Sequence, residues 1–207
     1  METMTSVQEA IAALARGAVI ALPTETVYGL ACDAQDPEAL ALLFALKGRP
    51  SNVPLPVALA EPSWADAWQK TPDRRVVSLA AHWWPGPLTI VVDAHPEVST
   101  VVTAGLGTVA LRIPDEPHAL AVIRGFGRAI VLTSANPHGA PPAQSAEAVD
   151  QVFGAQVAVI VDGGPSALGV PTTIVGLGPE GAWRVWRQGG VSVAQLTRVL
   201  GDPSAPR

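Results

Sequence analysis

Apolar and polar positions along the chain follow two periods, and the switches between them predict interleaved strands and helices. Helical spacing over 7–16, with Ser6 as cap and Gly17 as stop, predicts a first helix. An apolar run over 18–22 predicts a buried strand that opens into the turn PTETVYGL. Asp36-Pro37 is a helix start, cap then proline, for a helix over 37–47. A short strand follows at 56–59. Trp64, Trp68, Trp83 and Trp84 lie in or beside short helical segments, where core packing is expected, with His82 as a packing or hydrogen-bonding residue. After a sharp turn at Pro85–Pro87, a strand begins at Leu88.

Further along, 129–133 predicts a buried strand leading into Ser134-Ala135-Asn136-Pro137-His138-Gly139. A helix is predicted over 144–153, then strands over 157–161, 170–175 and 183–187. Ser192 with Gln195 forms a capping box for a last helix over 193–200. Such interleaving predicts one α/β domain over 1–200, a twisted mixed sheet with flanking helices, and a polar tail over 201–207.

The 207 residues are 48% hydrophobic and 15% charged, enough for a substantial core without staples. Cys32 is the one cysteine, so no intramolecular disulfide forms and a reducing compartment fits. The start has no secretory-signal pattern, and no apolar run approaches the ~20 residues that span a bilayer, so a cytoplasmic location is expected. A net charge of −5 argues against coating nucleic acid through the overall field, but leaves room for a local basic cavity.

Three stretches carry candidate chemistry. In KGRPSNVPL, over 47–55, Lys47 and Arg49 stand two residues apart before Pro50, a stiff loop suited to an anion. In TVALRI, over 108–113, alternation puts Val109, Leu111 and Ile113 on one face and Thr108, Ala110 and Arg112 on the other. A hydroxyl, a small residue and an arginine in that order suit the wall of a polar cavity. Thr24 and Thr26 flank Glu25 at the end of a buried strand, and Ser134 and Asn136 follow another, where α/β sheets place ligands. GxxxxGK[ST], GxGxxG after a strand and GxSxG are absent, and the four histidines (82, 95, 118, 138) have no zinc spacing. An enzyme so equipped would work by positioning and charge.

Taken in order, PTETVYGL, KGRP…PL, WPGPLT, TVALRIP, TSAN, DGG and TTIV…RQGG resemble the threonylcarbamoyl-AMP synthase, or YrdC-like, family from Pro23 to Gly190. The resemblance is to the short form, without the second C-terminal domain of longer members, and it implies a YrdC-like domain with a concave basic active-site cavity. The implied reaction makes threonylcarbamoyl-AMP and pyrophosphate from L-threonine, bicarbonate and ATP, with Mg2+ accompanying the nucleotide and no tightly bound cofactor. A separate tRNA threonylcarbamoyl transferase complex would use the product beside the anticodon, with at most weak tRNA contact by this chain and no membrane.

By the same resemblance, Lys47 and Arg49 would be catalytic and bind phosphates. Arg49, Thr108, Ser134, Asn136 and Arg187 would contact ATP, and Thr26, Arg112 and Thr172 the threonine. The chain departs from the family at Ala58, where many members carry histidine, at Val53 for asparagine, at Thr172 for serine and at Pro142 for serine. An RNA-binding module, or an ATP-binding paralogue with another acceptor, are the alternatives.

The two cation clusters are expected to separate kinetically. Arg112→Ala should raise the KM for threonine with less effect on ATP. Arg49→Lys should lower kcat although charge is kept, because an ammonium cannot reproduce a two-pronged guanidinium contact. Steady-state kinetics with each substrate varied checks this, and identical defects in both variants would mean one undivided site.

Overall fold

A computed structural model describes residues 2–48, 50 and 52–202. Eight strands form one mixed sheet in the order β1-β2-β6-β3-β5-β4-β7-β8. They are β1 (Ile20–Leu22), β2 (Gly29–Asp33), β3 (Pro56–Ala58), β4 (Leu88–Asp93), β5 (Thr108–Arg112), β6 (Ile130–Ser134), β7 (Thr173–Leu177) and β8 (Trp183–Arg187). Two neighbouring pairs, β3–β5 and β4–β7, are parallel, and the remaining pairs are antiparallel. The helices are α1 (Glu2–Ala15), α2 (Pro37–Lys47), α3 (Arg74–Trp83), α4 (Thr100–Thr103), α5 (Pro117–Phe126), α6 (Ala146–Phe153) and α7 (Val193–Leu200). No described helix is long and apolar enough to cross a membrane.

The sheet carries a core on each side, and the two differ in extent. The larger takes Leu40 and Leu43 of α2, Val76 and Leu79 of α3, Val149 of α6 and Leu196 of α7. These meet one side chain of every two along the strands, such as Leu30, Val57, Ile90, Leu111 and Val175. The smaller joins Ala10 and Leu14 of α1 and Ala119, Val122 and Ile123 of α5 to Ile20, Ala31, Ala58, Ile130 and Leu132. All these strand residues belong to β1, β2, β3 and β6. Two helices, each about 10 Å across, span roughly 20 Å. Four strands spaced about 4.8 Å apart take up the same width. On this side β5, β4, β7 and β8 therefore have no described helix above them, and Val91, Ala110 and Ile174 join neither core.

Strand β5 shows the consequence residue by residue. Val109 and Leu111 are buried, while Thr108, Ala110 and Arg112 are partly exposed, as the alternation predicts. Ala58 is the register partner of Arg112, so the edge of the smaller core falls between them.

Local chemistry sets several of the boundaries. Asp36 Oδ1 accepts from the amides of Glu38 at 2.9 Å and Ala39 at 3.2 Å, and Gly48 closes α2 with φ 57°. The Ser192–Gln195 capping box opens α7 as predicted. The described residues also correct four readings. The first helix begins at Glu2, so Ser6 sits inside it instead of capping it. Residues 157–161 make only a bridge, Ile160 to Ala21, with three backbone hydrogen bonds beside β1. The strand predicted over 170–175 begins only at Thr173, as β7, because Pro171 has no amide to donate. Helix α5 was not predicted, although Glu116 caps it through Ala119 N at 2.7 Å, Pro117 starts it and Gly127 ends it.

The thiol of Cys32 is fully buried, and that burial, helped by Asp33 and Asp36, pushes its pKa well up. Leu111, also fully buried, lies under the site face. Leu111→Ala is expected to cost about 2–5 kcal/mol. Urea unfolding should show this as a lower midpoint at unchanged slope.

Candidate active site

The face that the helices leave bare carries two arginines, one at the end of β5 and one at the end of β8. The Nη2 of Arg112 donates to Glu25 Oε1 at 2.6 Å and to Thr26 Oγ1 at 3.2 Å, and its Nε donates to Gly86 O at 3.3 Å. The Nε of Arg187 donates to Thr172 O at 3.0 Å, and its Nη2 to Thr172 Oγ1 at 2.9 Å. Thr172 shares a further hydroxyl contact of 2.9 Å with Thr89. Neither guanidinium has a partner for Nη1 among the described residues.

Electrostatics tie the two together. Burial lowers the pKa of Arg112, opposed by Glu25. Burial also lowers the pKa of Arg187, and repulsion from Arg112 adds to it. Both remain charged at neutral pH, since a guanidinium does not deprotonate in proteins. Among the described residues Glu25 is the one carboxylate within 4.0 Å of either. Two like charges close enough to repel, each with an uncommitted N–H pair, make a seat for an anion.

Residues 23–28 connect this pair to a second cluster. Thr24 Oγ1 donates to Val27 O at 2.6 Å, contacts Thr26 Oγ1 at 2.8 Å and receives the amides of Thr26 and Val27, each at 3.2 Å. One hydroxyl thus holds the turn that presents Glu25 and Thr26. Tyr28 O accepts from Ala135 N at 2.8 Å, which joins the turn to the loop after β6. The Tyr28 hydroxyl donates to Gly164 O at 2.8 Å and receives Gly163 N at 3.2 Å, and burial keeps its pKa raised.

That loop carries Ser134 and Asn136, and Lys47 lies beneath it, 3% exposed. The Lys47 ammonium donates to Ser134 O, to Asn136 O at 2.8 Å and to Asn136 Oδ1 at 3.0 Å. Ser134 Oγ donates to Asn136 Oδ1 at 2.6 Å, and Asn136 Nδ2 to Ala140 O at 2.5 Å. The last residue of α2 is thereby the support of the loop after β6.

The structure therefore brings Thr26, Arg112, Thr172 and Arg187 into one group, and Lys47, Ser134 and Asn136 into another. Thr108 stands apart, four residues from Arg112 at the other end of β5, roughly 13 Å along the strand. It lines a cavity of about 310 Å3 with Val91, Gly176, Leu177, Arg184 and Trp186. Arg49 lies outside the described residues. Glu25 and Thr89 have no role assigned from sequence, while Thr24, read there as a hydroxyl for a ligand, bonds within its own turn. The signal for Glu25 is a carboxylate between two threonines at the end of a buried strand.

The family model Sua5_yciO_yrdC, described as "Telomere recombination", matches residues 12–189. A threonylcarbamoyl-AMP synthase of Bacillus subtilis is 39% identical over 196 residues, 94% of this chain and 56% of the relative. One of Halorhodospira halophila is 38% identical over 175 residues, 81% of this chain and 88% of the relative. The structure of Pyrococcus abyssi Sua5 complexed with L-threonine superposes with a TM-score of 0.90 at 36% identity, covering 94% of this chain and 57% of that one. The chain thus spans a little over half the length of the Bacillus and Pyrococcus proteins.

Lys47→Met should leave several loop oxygens without their cation, at a cost of at least about 2 kcal/mol. The expected result is a lower melting temperature together with lost nucleotide affinity. Lost affinity at an unchanged melting temperature would mean that Lys47 acts on the ligand alone.

Proposed function

Since the chain belongs to the Sua5/YciO/YrdC family, we propose that it condenses L-threonine, bicarbonate and ATP into threonylcarbamoyl-AMP and pyrophosphate. The observation that carries the reading is the Arg112–Arg187 pair, two guanidiniums near enough to repel, each with Nη1 unpartnered among the described residues. The reaction brings together one carboxylate and one triphosphate, and each needs a cation. Matching relatives over most of the chain support the same assignment.

In this reading Arg112 holds the amino-acid carboxylate, with the hydroxyls of Thr26 and Thr172 beside it. Bicarbonate loses water to give CO2, the amino nitrogen gives up its extra proton and adds to the CO2 carbon with loss of a second proton, and an oxygen of the resulting carbamate attacks the α-phosphorus. Arg187 neutralises phosphate oxygens as pyrophosphate leaves, an interaction that strengthens as charge develops. Ser134 and Asn136 face the nucleotide, and Lys47 serves them by holding their loop. Arg49 completes the nucleotide contacts in this reading, and Thr108, at the other end of β5, has no part in it. The product would pass to a transferase acting on tRNA.

Mg2+ would arrive with ATP. Among the described residues no group of three or more His, Cys, Asp or Glu is arranged to hold a metal ion. The donor set fits an ion carried mainly by phosphates, as Mg2+ commonly is, and its chemistry would be charge neutralisation there.

The test is pyrophosphate release from ATP with each substrate omitted in turn. Release is expected only when L-threonine and bicarbonate are both present. Equal release without threonine would overturn the assignment.

A further inference from the structure

Glu25 is an anion placed where a purely anion-binding site would be better without one. Its Oε1 lies 2.6 Å from Arg112 Nη2, and its Oε2 accepts Asp115 N at 3.1 Å. Both side chains of the pair are largely shielded, Arg112 13% exposed and Glu25 10%. A carboxylate there repels the carboxylate and the phosphates that Arg112 and Arg187 would gather. Holding Arg112 in place does not by itself require that charge, since Gly86 O and Thr26 Oγ1 already accept from the same guanidinium.

Acceptor capacity points to a second use. An ionised carboxylate has about four lone-pair positions, and the described contacts of Glu25 take two. A free α-amino acid at neutral pH is a zwitterion whose ammonium and carboxylate sit on the same carbon. Its receptor needs a cation and an anion side by side, and among the described residues the Arg112–Glu25 pair is the one such arrangement on this face.

We propose that Glu25 receives the α-ammonium of the amino acid whose carboxylate Arg112 holds, so that the ion pair reads the zwitterion as a unit. This rests on the amino-acid reading of Arg112 given above. The carboxylate of the ligand meets the uncommitted Nη1 of Arg112, and its ammonium meets the remaining lone pairs of Glu25. The protein's own ion pair need not break for the ligand to enter. The same contact fixes the nitrogen that must later take up CO2.

The test compares two ligands by calorimetry: L-threonine, and 2,3-dihydroxybutyrate, which has a hydroxyl in place of the amine. Glu25→Gln removes the charge and keeps one acceptor oxygen, enough for Arg112 or for Asp115 N but not for both, and the second ligand controls for that lost contact. The substitution should weaken L-threonine at least tenfold and leave the dihydroxy acid unchanged or tighter. Equal losses for both ligands would reduce Glu25 to a positioning residue and overturn the proposal, as would no loss for either. Should the variant melt too early to be measured, the wild-type protein decides. There the amine must be worth at least tenfold in affinity, and parity between the ligands overturns the proposal. Wild-type protein that binds neither ligand would instead strike at the amino-acid reading itself, and the proposal would fall with it.

Discussion

The helices α1 and α5 reach only across β1, β2, β6 and β3, and this limit on coverage decides where polar chemistry can sit. A sheet face under a helix must be apolar, because an unpaired charge there would cost several kcal/mol. Beyond β3 that demand lapses on one side. Arg112 is the first residue past the boundary in its row, and its register partner Ala58 is the last one inside. The opposite face of the same strands stays packed through Val109, Leu111, Ile90 and Val175, so the polar face rests on a rigid floor.

On that floor, neutral oxygens hold most of the fixed charge. Arg187 is oriented by the carbonyl and hydroxyl of Thr172, and Lys47 by carbonyl and amide oxygens of one loop. Such partners fix direction without cancelling charge, which leaves Arg187 able to act on a ligand, whereas the buried Lys47 directs its charge at the loop. Arg112 is the exception, and Glu25 marks that end of the face as chemically different. Threonines recur because one hydroxyl can donate and accept at once, linking a side chain to a turn. Thr24, Thr26 and Thr172 each use one hydroxyl for two or more such contacts.

How much of this was legible in the sequence depended on the range of the interaction. Alternation over 108–113 and the caps at Asp36 and Ser192 are local, and each gave its element correctly. The pairing of Arg112 with Glu25 spans 87 residues and that of Lys47 with Asn136 spans 89, and no periodicity encodes either. Lys47 read from sequence as a loop cation aimed outward. Only the fold shows it turned under the neighbouring loop. Residues 157–161 misled because they have the composition of a strand. They lie beside a three-residue strand, too short to offer a full ladder of partners. Helix α5 has its cap, proline and glycine in adjacent sequence, so its signal is as local as those of α2 and α7.

One further hydroxyl sits at the join between the site and the end of the chain. Thr173, with no exposed surface, donates through Oγ1 to Val191 O at 2.7 Å and receives the amides of Gly189 at 2.9 Å and Val191 at 3.0 Å. Next to it, a Cβ on Gly189 would come within 2.2 Å of Pro171 O, so the two backbones touch with no room for a side chain. The segment entering α7 and the segment carrying Thr172 are therefore latched at a single point. Such points set the size of cooperative opening units, and here the unit runs from β7 across the turn to α7. Solvent hydrogen should reach the amides of Gly189 and Val191 only when that whole corner lets go. The anchor of Arg187 would be lost in the same event, so the working life of the anion seat is tied to the slowest-exchanging amides of this corner.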